Sequence, residues 1–138
     1  MKIDISELSQ LNDFAKTFSQ NINQGDLIFL NGDLGSGKTT FTQLLLKHLN
    51  YKNRVKSPTY AIYESYELEN FTLIHMDLYR LSSPEELYYL AIDEIIDNTN
   101  VVIIEWPEKG KGVLPQATRI LHFELANSEK RTLTLEIT

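Results

Sequence analysis

Gly32-Asp33-Leu34-Gly35-Ser36-Gly37-Lys38-Thr39 decides the reading of this chain, because it matches G-x-x-x-x-G-K-[ST] without a gap. Leu27-Ile28-Phe29-Leu30 precedes it as a short continuous apolar run, the pattern of a strand covered on both faces. Phe41, Leu44, Leu45 and Leu49 follow at helical spacing. Strand, glycine loop, helix is the context in which this motif binds phosphate. Glycine at 32, 35 and 37 permits a turn whose backbone N–H groups point inward and lets oxygen atoms approach closely. Lys38 supplies a point charge for the β- and γ-phosphates, and Thr39 a hydroxyl for Mg²⁺. The helix from Lys38 onward turns its unpaired N–H groups and positive dipole end to the same anion. Thr40, in that first turn, can reach the α-phosphate. The expected nucleotide contacts therefore run over Asp33, Leu34, Gly35, Ser36, Gly37, Lys38, Thr39 and Thr40.

Outward from this loop, the rest of the chain alternates helices and strands. Ser6 reads as the N-cap of a helix whose apolar face is Leu8, Leu11, Phe14, Ala15, Phe18 and Ile22, with Gly25 placed to end it. Met1 to Ile5 reads as a strand. Tyr60 to Tyr66 and Phe71 to Met76 predict a β-hairpin turning at Leu68-Glu69-Asn70. Ser83-Pro84-Glu85-Glu86 predicts a helix running to about Ile96, with proline and acids where the first turn favours them. Val101–Glu105 is a second buried strand, Trp106–Pro115 a loop, and Ala117–Leu125 with Arg131–Ile137 a final hairpin. These elements predict an α/β, P-loop NTPase-like three-layer fold with a mixed, largely parallel central sheet and antiparallel hairpins. No repeat or linker divides residues 1–138, so one ATPase-sized domain is expected.

Composition sets the outer limits. The chain has 138 residues, 42% of them hydrophobic, enough to bury one proper core. There is no cysteine, which excludes disulfide scaffolds, thiolate metal sites and thiol catalysis. Thirteen Lys and Arg against nineteen Asp and Glu give a formal charge of -6, which argues against a protein whose main task is gripping nucleic acid. No apolar run approaches a membrane span, and no signal-peptide core opens the sequence, so a cytoplasmic location is expected.

Two acids stand where strands run out. Glu105 follows Val101-Val102-Ile103-Ile104, the way a Walker-B strand delivers a carboxylate beside a phosphate loop. Asp77 ends His75-Met76-Asp77-Leu78-Tyr79-Arg80 in the same manner. Mg²⁺ keeps several waters and needs only one or two carboxylates beside the loop threonine. Thr39, Glu105 and Asp77 are therefore the metal candidates, with Glu105 read as the metal acid and Asp77 as holding the attacking water or reaching the metal indirectly, behind its direct ligands. Ser57-Pro58-Thr59-Tyr60 fits either a nucleotide-sensing loop in which Thr59 offers its hydroxyl to the γ-phosphate, or a plain turn into the next strand. Arg80 fits an arginine finger or a structural ion pair equally. His48, His75 and His122 share no metal spacing and read as structural. Lys47, Lys52, Arg54 and Lys56 read as a solvated helix end.

Taken in order, the phosphate loop with Thr40-Phe41, Ser57-Pro58-Thr59-Tyr60, His75-Met76-Asp77-Leu78-Tyr79-Arg80, Pro84-Glu85-Glu86-Leu87 and Glu105-Trp106-Pro107 closely resemble the bacterial TsaE (formerly YjeE) family. The likeness runs from the first helix to the final hairpin. It implies a small P-loop ATPase with Mg²⁺ as cofactor and ATP as substrate. Such a protein binds the TsaB–TsaD pair and supports repeated turnover while TsaD forms threonylcarbamoyladenosine beside the tRNA anticodon; tRNA is reached through that complex. On this resemblance Lys38, Thr59, Asp77 and Glu105 are the catalytic positions, and Trp106 matches a functionally important tryptophan. Ser9 corresponds to an early helix residue near adenine, with Glu108 and the 127–130 turn closing the same pocket. A metabolite kinase would bring several lid arginines, whereas Arg54, Arg80, Arg119 and Arg131 are scattered; a GTPase would carry Asn/Thr-Lys-x-Asp, and none is present. A nucleotide-gated interaction module with negligible hydrolysis is the remaining alternative.

Overall fold

A computed structural model describes residues 1–53, 55 and 62–138. Among them lie β1 (Lys2–Asp4), α1 (Leu8–Gln20), β2 (Leu27–Asn31), α2 (Lys38–His48), β3 (Tyr63–Glu67), β4 (Thr72–Asp77), α3 (Glu86–Tyr89), α4 (Ile92–Ile95), β5 (Val101–Glu105), β6 (Arg119–Leu125) and β7 (Arg131–Ile137). A 3₁₀ turn at Pro107–Gly110 follows β5. The strands form one sheet in the order β1-β7-β6-β2-β5-β4-β3. β6, β2, β5 and β4 are mutually parallel, and antiparallel partners flank them on both sides, β3 against β4 and β7 against β6. This is the expected mixed α/β sheet with hairpins at its margins. No helix among the described residues is long and apolar enough to cross a membrane.

Alternation along the parallel strands divides the core into two layers. Leu73 of β4, Val101 and Ile103 of β5, and Ile28 and Leu30 of β2 pack against Leu11, Phe14, Ala15 and Phe18 of α1 and Phe41, Leu45 and Leu46 of α2. Phe14, Phe18 and Phe41 meet ring to ring at 5.6–5.8 Å. The intervening residues, Ile74, Met76, Val102 and Ile104, face the other way onto Leu87, Ile92 and Ile95. β5 is buried at every position, as a strand covered on both sides must be.

Three local expectations are corrected. Ser6 is not the N-cap of α1. Its hydroxyl and amide both donate to Asp4 Oδ1 (2.5 and 2.9 Å), and Glu7 caps the helix instead, its N–H donating to Gln10 Oε1 at 2.9 Å. Gly25 does not end α1, which stops at Gln20; Gly25 lies in the turn into β2 and donates its N–H to Asn100 O at 3.0 Å. The helix expected to run from Ser83 to about Ile96 is broken in two by Ala91, at φ 54°. Leu87 and Ile92 are five positions apart and would point about 140° away from each other on one continuous helix. The break turns both, with Ile95, toward the sheet.

Candidate functional site

β2 ends between two parallel neighbours, and its carboxyl end is where the glycine loop begins. Leu30 is paired with Glu105 of β5, and Asp77 of β4 is paired with the same Glu105. Parallel pairing therefore brings the two acids side by side at the carboxyl edge of the sheet, next to the loop, the usual ligand position in open α/β sheets. The amide of Leu78 donates to Glu105 O at 3.1 Å, fastening the chain after β4 to the end of β5.

The loop enters α2 through Gly37 at φ 114°, a left-handed conformation that side-chain-bearing residues adopt at a cost. The first amide of the helix bound to a loop carbonyl is Phe41 N–H, on Gly37 O at 2.9 Å. The amides of Lys38, Thr39 and Thr40 precede it and are the unpaired first-turn donors that suit an anion. Gly32 is required for another reason: a Cβ there would stand 2.7 Å from Phe123 O and 2.7 Å from Ser36 Oγ. Ser36 is buried, and its Oγ has no hydrogen-bond partner among the described residues.

Lys38 is buried, and its ammonium is folded back. Nζ donates to Gly32 O at 2.5 Å, lies 4.4 Å from the centre of the Trp106 ring and 4.0 Å from Glu105 Oε1. Glu105 is 5% exposed; its Oε2 accepts from His75 Nε2 at 2.6 Å. Asp77 is half-buried and accepts the Tyr79 amide at 3.0 Å. Burial raises the Asp77 carboxyl above the ordinary carboxylate value, the Tyr79 amide opposes this, and the nearby Glu105 charge pushes it further up. Trp106 sits at φ 57° directly before Pro107, and its ring meets that of Tyr79 at 5.0 Å with the planes tilted by 51°. A strained backbone immediately after a buried acid is the kind of feature that gathers at functional sites.

The cleft over the loop has a volume of about 230 Å³ and is lined by Leu34, Gly35, Gly37, Lys38, Thr39, Thr40, Glu105 and Arg131. A smaller one of about 130 Å³ shares Gly37, Thr40 and Arg131 with it and adds Ser6, Leu8, Leu11 and Ser36. A third, of about 490 Å³, lies on the other side of the loop, with Asp33, Trp106 and Glu108 among its walls. Thr39, Thr40, Lys38 and Glu105 are thus brought together. Asp77 lies beside Glu105 in register. Glu108 and Ser9 are not brought together: Glu108 belongs to the third cleft, while Ser9 is exposed on α1 and lines none of the three. The 127–130 turn is exposed and lines none of them either. Arg80 is exposed, with no ion pair to a described residue. Thr59 lies outside the described residues, as do Arg54 and Lys56.

Hard oxygen donors suit Mg²⁺, and the loop cleft offers them in the Thr39 hydroxyl and the Glu105 carboxylate. Among the described residues no group of three His, Asp or Glu could hold a metal by itself. The donor set therefore fits an ion that takes its other ligands from nucleotide oxygens and water.

Two residues of the site are missed by motif reading. Arg131 reaches both small clefts from β7, about a hundred positions beyond the loop, and nothing in its neighbourhood announces it. His75 was legible in principle: it stands two residues before Asp77 on the same strand, so alternation puts both on one face.

The sequence profile described as "Threonylcarbamoyl adenosine biosynthesis protein TsaE" matches residues 5–133. The chain is 38% identical over 116 residues to the tRNA threonylcarbamoyladenosine biosynthesis protein TsaE of Haemophilus influenzae, covering 80% of this chain and 73% of that one. The Rickettsia typhi protein of the same description is 39% identical over 124 residues, covering 89% and 85%. The Bacillus subtilis one is 34% identical over 120 residues, covering 87% and 75%. The crystal structure of Bacillus subtilis YdiB superposes with a TM-score of 0.83 at 28% identity, over 99% of this chain and 84% of that one.

Proposed function

The chain belongs to the TsaE family of tRNA threonylcarbamoyladenosine biosynthesis, and from that premise we propose that it is a Mg²⁺-dependent ATP hydrolase that binds the TsaB–TsaD pair and supports its repeated turnover. One observation carries the nucleotide reading: the first-turn amides of α2, the Lys38 ammonium, the Thr39 hydroxyl and the Glu105 carboxylate meet at a single cleft. Phosphoryl transfer asks little of a protein beyond positioning and charge neutralisation, and this set supplies both.

In this reading the amides of the loop and of Lys38 to Thr40 cradle the phosphates. Lys38 leaves Gly32 O and Trp106 to meet the β- and γ-phosphates, a short swing for a flexible side chain. Thr39 and Glu105 would hold the metal, which would supply charge neutralisation. Asp77, its carboxyl raised above the ordinary value by burial, sits beside Glu105, where an attacking water would be oriented. The small cleft shares Gly37, Thr40 and Arg131 with the phosphate site and has Leu8 and Leu11 on its α1 side, which suits the nucleoside end of ATP.

Reconstitution with TsaB, TsaD and tRNA tests the whole reading: multiple-turnover modification should require this chain and ATP. Lys38→Ala should lower ATP affinity about 100-fold or more, since a charge-assisted phosphate contact is lost from a buried site. Glu105→Ala should keep much of the binding and lose turnover by about 100-fold or more. Equal hydrolysis in the Glu105→Ala variant removes that residue from the mechanism, and phosphorylation of a metabolite in step with ATP loss replaces the hydrolase with a kinase.

A further inference from the structure

We propose that His75 is the positioning residue of Glu105, dividing the two carboxylate oxygens so that one faces the metal side of the phosphate cleft. The inference rests on the ATPase reading above and concerns a residue to which that reading gives no part.

His75 is 1% exposed and lies on β4. It pairs with Ile103, two positions before the Asp77–Glu105 pair, and alternation places His75, Asp77 and Glu105 on the same face as α2. An ionised carboxylate only accepts, so Nε2 is the donor in the 2.6 Å contact with Glu105 Oε2. The second oxygen, Oε1, points toward Lys38 Nζ at 4.0 Å, beyond hydrogen-bond distance. The terminal torsion of a glutamate is broad, so nothing intrinsic to Glu105 fixes which way its oxygens face. Without the imidazole the carboxylate is free to rotate about that torsion, and neither oxygen is held toward the metal side. His75 Nδ1 is buried and has no partner among the described residues. Groups that hydrogen-bond a metal-ligating carboxylate typically govern metal affinity or activity by about 10–100-fold.

The test separates metal coupling from packing. ATP affinity is measured by calorimetry in EDTA and in excess Mg²⁺ for the wild-type chain, His75→Leu, His75→Gln and His75→Asn, with a melting curve for each. The expected result for His75→Leu is an affinity in EDTA within about 2-fold of wild type and a Mg²⁺-dependent gain reduced about 10-fold or more. The Mg²⁺ concentration that half-saturates hydrolysis should rise in parallel. Glutamine carries its amide nitrogen about as far out as Nε2 and should restore most of the gain; asparagine falls short and should not. The Gln–Asn comparison decides the matter if the leucine variant does not fold. In a Glu105→Gln background, His75→Leu should change the Mg²⁺ gain no further.

A wild-type Mg²⁺ gain in both His75→Leu and His75→Asn overturns the assignment. So does an equal loss with and without the metal, which would make His75 a packing residue. Absence of saturable Mg–ATP binding in the folded wild-type chain is a different failure, since it removes the ATPase reading and this inference with it.

Discussion

At the scale of single residues, the loop glycines were legible, and the packing reason for Gly32 was not. A motif says that Gly32 is glycine; only the packing says that Phe123 of β6 closes over it. A Cβ at position 32 meets the Phe123 carbonyl, which is main chain of β6, paired with β7 at this position, and cannot swing aside. Gly32→Ala should therefore lower unfolding free energy by about 1–3 kcal/mol, as overpacking generally does, measurable by urea denaturation without nucleotide. A melt unchanged from wild type would show that β6 yields. Glu105 and Asp77 were readable because each ends a strand, and a strand end is a sequence feature. His75 and Arg131 owe their places to pairing between distant segments, and no local spacing encodes that.

Among elements, the parallel strands were the easiest to read, since Leu27-Ile28-Phe29-Leu30 and Val101-Val102-Ile103-Ile104 have the continuous apolarity that two-sided burial demands. The helices were read less well, for a physical reason. Periodicity locates an amphipathic stretch but does not register a break that reorients its face. Between α3 and α4, Leu87, Ile92 and Ile95 reach the sheet only because Ala91 takes a left-handed conformation. A left-handed alanine costs about 1–2 kcal/mol, and glycine gives back part of that through the entropy it loses on folding. Ala91→Gly should accordingly stabilise the chain by about 0.5 kcal/mol, seen as a small rise in urea midpoint with an unchanged slope. A fall in the midpoint would mean that the alanine methyl contributes more than the strain removes. The cap of α1 teaches the same lesson from the other side: Ser6 has the right chemistry for capping, yet Asp4 and Arg131 already engage it.

For the whole molecule, the site is placed at the expense of stability. Asp77 is held beside Glu105 in a partly desolvated position, and its carboxyl binds its proton more tightly in the folded chain than in the unfolded one. As pH rises above the ordinary carboxylate value of 3.8, the unfolded chain releases this proton first. Stability therefore falls through the window from that value up to the raised native one, and stays lowered above it. Asp77→Asn keeps an acceptor for the Tyr79 amide while removing the charge. At neutral pH, with nucleotide and metal absent, its melting temperature should exceed that of wild type by on the order of 2 °C. Below the ordinary carboxylate value the difference should vanish. A variant that melts lower than wild type at neutral pH would show that the Asp77 charge is favourably held. The sheet order that creates this crowding could not be read from the sequence, because the family of strands was visible but their lateral neighbours were not.

The seam between Ser6 and Arg131 carries a consequence for biosynthesis of the chain itself. The amide of Ile5 donates to Arg131 O at 3.0 Å, and the amide of Arg131 to Ser6 Oγ at 3.0 Å, joining segments 125 positions apart. During translation the glycine loop leaves the ribosome before β7, so the wall that Arg131 gives to both small clefts does not exist until β7 has been made. A nascent chain can thus present its anion-gripping turn while the adjoining chamber is still open on one side, and enclosure of a whole ligand waits for the strand that carries Arg131.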